Sequence, residues 1–75
     1  MVTLDPRGRL AVDGRPEPEA RLERAIRVAL ALHGSHEVVV AGDRAATLER
    51  AALVLDAARR AGAQRASIAV EGGKP

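Results

Sequence analysis

Between His33 and Glu37 the chain places two imidazoles, a hydroxyl and a carboxylate within five positions, LHGSHE, the one stretch with residues suited to metal ligation or proton transfer. Histidines three apart share a face and can grip a metal together only where a single helix runs through both. Gly34 and Ser35 stand between His33 and His36 as a helix stop, so the spacing reads as a solvated connector and assigns no metal ligand. Ser35, Thr47 and Ser67 supply hydroxyls, but no G-x-S-x-G elbow surrounds either serine and no motif ties a histidine to a particular aspartate. Cysteine is absent, which removes thiolate chemistry and disulfides. Gly42-Asp43 precedes an expected helix, as phosphate-binding turns do, yet neither G-x-G-x-x-G nor G-x-x-x-x-G-K is present and Asp43 would repel a phosphate. Its expected role is to cap the loop by accepting from backbone N–H groups. The reading is of a non-enzyme with no catalytic, cofactor-binding or metal residues and no cofactor.

Charge and composition narrow the partners. Twelve Lys and Arg against ten Asp and Glu leave a net charge of only +2. Arg21, Arg24, Arg27, Arg50, Arg59, Arg60 and Arg65 interleave with Glu19, Glu23, Glu49 and Asp56, so i, i+4 pairs such as Glu23 with Arg27 are expected instead of a one-signed stripe. Phe, Tyr and Trp are all missing, so no ring is available to stack on a base. Both features argue against nucleic acid. No apolar run approaches the ~20 residues that span a bilayer, and no signal-peptide pattern opens the chain, so it reads as soluble. Met1 is taken either as the initiator of a small protein or as a start placed before a domain excised from a longer one.

The elements that position these residues follow from periodicity. Val2 to Leu4 and Arg9 to Val12 read as a hairpin turning at Asp5-Pro6-Arg7-Gly8 and stopping at Asp13-Gly14. Pro16 and Pro18 bar a further strand and prepare a helix, with Pro18 in its first turn and Glu17 and Glu19 at the positive end of its dipole. Leu22, Ala25, Ile26, Ala29 and Leu30 give that helix its inward stripe as far as His33, where Gly34 supplies a left-handed cap. Val38-Val39-Val40, in a strand from Glu37 to Ala41, is a β-branched run for a central or doubly covered strand. Thr47 caps a second helix with Leu48, Ala51, Ala52, Leu55 and Ala58 inward, ending at Gly62; the alanines would let it lie close on the sheet. Ala66 to Val70 is a last strand, parallel to the one before the helix, in which Ser67 and Ala69 share one face and Ala66, Ile68 and Val70 the other. The fold class is α+β: a two-layer sandwich, mixed β-sheet with two helices, order ββαβαβ, as one domain over 1–71 with a flexible tail at 72–75.

The string VVVAGDRAATLERAALVLDAARRAGAQRASIAV resembles the C-terminal periplasmic domain of the ExbD/TolR family of biopolymer transport proteins. The family shows an apolar strand, an Ala-Asp turn, a helix with paired aliphatics and an aspartate, then Ala-Gly and a last strand. Here these fall on Val38 to Val40, Asp43, Ala51-Ala52, Val54-Leu55-Asp56, Ala61-Gly62 and Ile68 to Val70. The opening VTLDPRGRLAVDGRP looks like the family's first hairpin, so the likeness covers residues 2 to 71. Gly42 replaces a common alanine and Leu48 a frequent tyrosine, and the family's transmembrane helix with its aspartate lies outside this chain.

The resemblance implies a partner-binding and coupling domain of an inner-membrane complex driven by proton-motive force. Such a protein works with an ExbB- or TolQ-type subunit, energises a TonB- or TolA-type protein, forms a homodimer, and has peptidoglycan as a further possible contact. The membrane would be met only through the helix this chain lacks, and the domain itself would lie in the periplasm. A sheet edge that accepts a partner strand is the expected mechanism, with Ser67, Ile68, Ala69 and Val70 as the partner-binding residues. Burial statistics favour Ile68 as core over Ile68 as contact. The competing reading is a free-standing cytosolic binding or regulatory module of the same fold.

Overall fold

The computed structural model describes residues 1–43 and 45–71. Its elements are β1 (Val2–Leu4), β2 (Leu10–Val12), β3 (Arg15–Glu17), a 3-10 turn (Glu19–Arg21), α1 (Leu22–His33), β4 (Glu37–Asp43), α2 (Leu48–Arg60) and β5 (Arg65–Glu71). The strands form one mixed sheet in the order β3-β2-β1-β4-β5. β1, β2 and β3 pair antiparallel, whereas β1 with β4 and β4 with β5 are parallel. This is the expected α+β class, a mixed sheet with two helices.

Register decides which residues share a face. Val2 lies beside Val12 and Val40, and Val40 beside Ile68, while Val38 lies beside Ala66. Val2, Leu4, Leu10, Val12, Val38 and Val40 from this face join Leu22 and Ile26 of α1 and Val54, Ala58 and Ala61 beyond it in one buried cluster, so both helices cover the same side of the sheet. Leu22, Val40, Val54 and Ala58 are fully buried. The opposite face carries Thr3, Ala11, Val39, Ala41 and Ser67. β4 is therefore central but helix-covered on one face only: Val38 and Val40 are buried and Val39 is half-buried.

Four expectations are corrected. A strand does form at Arg15–Glu17, although Pro16 and Pro18 had excluded one. Pro16 pairs with Ala11 on the outermost strand, where a missing N–H goes unnoticed by the sheet. Asp13-Gly14 is a two-residue hairpin loop, both residues at positive φ, 50° and 85°, the primed geometry that suits the twist of flanking strands. Only glycine takes the second of these without strain. α1 accordingly starts later, after Pro18 (φ −71°) and a single 3-10 turn. In α2 the inward residues are Val54 and Ala58, followed by Ala61 at its C-cap, with Ala51 and Leu55 half-buried, whereas Leu48 and Ala52 lie on the surface. β4 also continues through Gly42 and Asp43 before turning.

The caps follow expectation. Gly34 is left-handed (φ 58°) and the Ser35 N–H donates to the Leu30 carbonyl at 3.0 Å, closing α1. Thr47 Oγ1 accepts from the Arg50 N–H at 3.2 Å. Gly62 follows α2, with the Ala63 N–H reaching the Ala58 carbonyl at 3.0 Å. Residues 72–75, expected as a tail, lie outside the described residues.

Candidate functional site

β5 is the last strand of the sheet and pairs on one side only, with β4, over seven residues from Arg65 to Glu71. Its position follows from the chain path: the α2 crossover returns it parallel to β4, at the outer side of the sheet. Ser67, Ile68, Ala69 and Val70 are all exposed. Ile68 and Val70, at 43% and 67%, lie on the helix-side face beside Val40 and Gly42, where α2 packs against β5 but leaves them only partly covered. The core expectation for Ile68 is thereby overturned. A branched aliphatic is buried only where a second layer stands above it, and at this edge the layer ends. The four residues expected to bind a partner are contiguous and accessible on a strand whose outer backbone groups have no strand neighbour.

The edge at the other end of the sheet is different. β3 has three residues and carries Pro16, so it offers little main-chain pairing.

The residues with chemical potential are placed as follows. His33 Nε2 lies 3.0 Å from Asp13 Oδ2, and the other oxygen of Asp13 accepts from the Met1 α-ammonium at 2.7 Å. These contacts, the ammonium first and His33 second, hold the Asp13 carboxyl below its ordinary value. The pair was not legible as a motif, because twenty positions separate the two side chains and only the β2–β3 turn brings them together. Ser35 lies nearby, but its hydroxyl donates to the Glu37 carbonyl at 3.3 Å and accepts the Glu37 N–H at 3.1 Å. It caps the connector instead of meeting His33. His36 is exposed and its carbonyl accepts from the Gln64 and Arg65 N–H groups, which ties the start of β4 to the start of β5. Among the described residues no three His, Cys, Asp or Glu side chains stand close enough to hold a metal ion.

The sequence matches no family model and no curated protein.

Two further positions carry local roles. Asp43 Oδ1 accepts from the Ala45 N–H at 2.8 Å, the loop-capping role expected of it. Asp5 accepts N–H bonds from Arg7 and Arg9, and its Oδ2 takes the Arg9 Nε at 2.7 Å; the Arg9 backbone bond leads the lowering of its pKa. The arginines are mostly a mixed-sign surface, as expected. Glu23 meets Arg27 at 2.9 Å and Asp56 meets Arg60 at 3.0 Å, each across one helical turn.

Arg50 is the exception among them, and its role was not visible in the sequence. It is 29% exposed, donates from Nη1 to Glu19 at 2.6 Å and from Nη2 to the Gly8 carbonyl at 2.9 Å, and keeps its Nε buried without a partner. One planar guanidinium thus ties α2 to the β1–β2 turn and to the 3-10 turn before α1. Among the described residues no helix is long and apolar enough to cross a membrane.

Proposed function

We propose that this chain is a partner-binding domain of the ExbD/TolR type, the periplasmic coupling part of an inner-membrane complex driven by proton-motive force. The observation that carries the reading is β5: a seven-residue strand at the sheet edge, charged only at its ends, with Ile68 and Val70 exposed along it. Proteins generally blunt such an edge with proline, charge or a covering loop. Ser67 to Val70 contain neither proline nor charge. A TonB- or TolA-type segment in extended form would add as a sixth strand, its main chain supplying affinity and its alternate side chains, set against Ile68 and Val70, supplying selectivity.

The same edge suits a homodimer. Two β5 strands running antiparallel about Ile68 set Ser67 against Ala69 and Ala66 against Val70, a self-complementary register of the kind a two-fold axis requires. Dimer and partner strand would then compete for one edge, or the partner would add where the dimer opens.

The resemblance in element order and in the Val38–Val70 pattern supports the membrane-complex setting over a free-standing module. Titrating the isotope-labelled chain with extended peptides from the periplasmic segments of TonB- and TolA-type proteins tests the reading. Amide shifts and slowed exchange centred on Ser67 to Val70, lost in Val70→Lys, support it. Shifts confined to other elements, or no binding by either peptide set, would remove it.

A further inference from the structure

At the far end of the sheet from β5, the outer side of α1 and the β2–β3 hairpin enclose an open groove of about 690 Å³. Its helix wall presents Arg21, at the N-cap of α1, and Arg24, Val28 and Leu32 on the helix, a ridge at helical spacing, with Ala25 and Ala29 also lining the groove. Val28 is 51% and Leu32 78% exposed, although both sit on a helix whose neighbouring stripe is core. Arg15 faces this ridge from β3, and among the described residues none of Arg15, Arg21 and Arg24 forms an ion pair. Of the two acids of the groove, Asp13 is engaged by His33 and Met1, so Glu17 alone stands against the three guanidiniums.

We propose that this groove is a docking site for an acidic amphipathic helix of a partner protein, distinct from the β5 edge and independent of the reading given to it. An exposed aliphatic pair ending a ridge that begins with unpaired guanidiniums calls for a ligand that is apolar at one end and carboxylate-bearing at the other. Strand addition is the poorer fit, since β3 is short and holds Pro16. A second copy is also a poor occupant. Its α1 would bring either the same arginines or the His33 end to face Arg21 and Arg24, and there the Asp13 carboxylate is already engaged by His33 and Met1.

The test uses three synthetic peptides of about 18 residues, long enough to hold a helix. They share one leucine stripe and carry glutamate, glutamine or lysine at every other position. Each is titrated into the labelled chain, following amides and the Val28 and Leu32 methyls. The glutamate peptide alone should bind, with shifts on α1 and β3 and none on β5. Its affinity should fall about tenfold in Arg21→Glu/Arg24→Glu, a surface change that leaves the melting temperature in place, and the lysine peptide should then bind that variant. Leu32→Ser should weaken binding without reversing the charge preference. The proposal is overturned if the glutamate peptide does not bind, if all three peptides bind alike, if the charge reversal leaves affinity unchanged, or if the shifts map to a self-association surface that depends on protein concentration.

Discussion

Ile26 and Ile68 are the two isoleucines of the chain, and the structure assigns them opposite costs of truncation. Ile26 is 1% exposed beneath α1 and Ile68 is 43% exposed on β5. Cutting isoleucine to alanine removes three carbons. At ~0.8 kcal/mol per buried methylene this is about 2.4 kcal/mol of transfer energy, and for Ile26 the unfilled space brings the loss to about 3 to 4 kcal/mol. At Ile68 only a little over half of the side chain is covered and the edge is open, so no closed cavity forms. The expected loss is about 1 kcal/mol, with a few tenths from strand preference included.

A chain of this length has about 4 to 11 kcal/mol in all. Ile26→Ala should therefore leave a marginal fold, whereas Ile68→Ala should lower the melting temperature by only about 4 to 8 °C. Urea unfolding followed by far-ultraviolet circular dichroism is the suitable assay, because a chain without Phe, Tyr or Trp has no intrinsic fluorescence to follow. A loss for Ile68→Ala equal to that for Ile26→Ala would refute the argument. It would mean that Ile68 is covered as fully as Ile26, by a layer over that face of β5 or by a second copy at its edge.

Acid should destabilise the fold through Asp13 and Asp5, whose carboxyls are held below 3.8 in the folded chain. A depressed carboxylate contributes stability that is present above the unfolded value and is lost as pH falls through the folded one, so the loss belongs below about pH 4. Asp13→Asn should flatten that limb in a pH series of urea midpoints, and added salt should shrink the difference; an unchanged limb would show that Asp13 makes no such contribution. Gly14→Ala forces a Cβ into the left-handed position of the Asp13-Gly14 turn (φ 85°) and should cost about 1 to 2 kcal/mol by the same assay. Arg50→Met keeps the stem and removes the bonds to Gly8 and Glu19; with Glu19 largely exposed, the expected loss is about 1 kcal/mol. Glu19→Gln should cost less than that, and equal losses would mean that the ion pair, not the backbone bond, holds the turn.

Much of this architecture is written locally. The 3.6-residue stripe of Leu22, Ile26 and Leu30, the β-branched run at Val38 to Val40, the Gly34 stop and the Thr47 cap each depend on neighbours within a few positions. Periodicity and capping chemistry therefore specify them before any long-range contact forms. β3 was legible too, in Asp13-Gly14 between alternating residues, but Pro16 masked it, since whether proline is tolerated depends on whether its strand has a neighbour on both sides. The alanine-rich helix α2 shows the same limit: with Leu48, Leu53, Val54 and Leu55 scattered among alanines, several faces are nearly equally apolar, and the sheet beneath chose the one with Val54 and Ala58. Asp13 with His33, and Arg50 with Gly8 and Glu19, join positions twenty or more apart, which no local pattern encodes. The exposure of Ile68 belongs with these. A strand's sequence fixes which side chains share a face, but only the order of strands and the reach of the helices decide whether that face is covered, and in this fold β5 comes last.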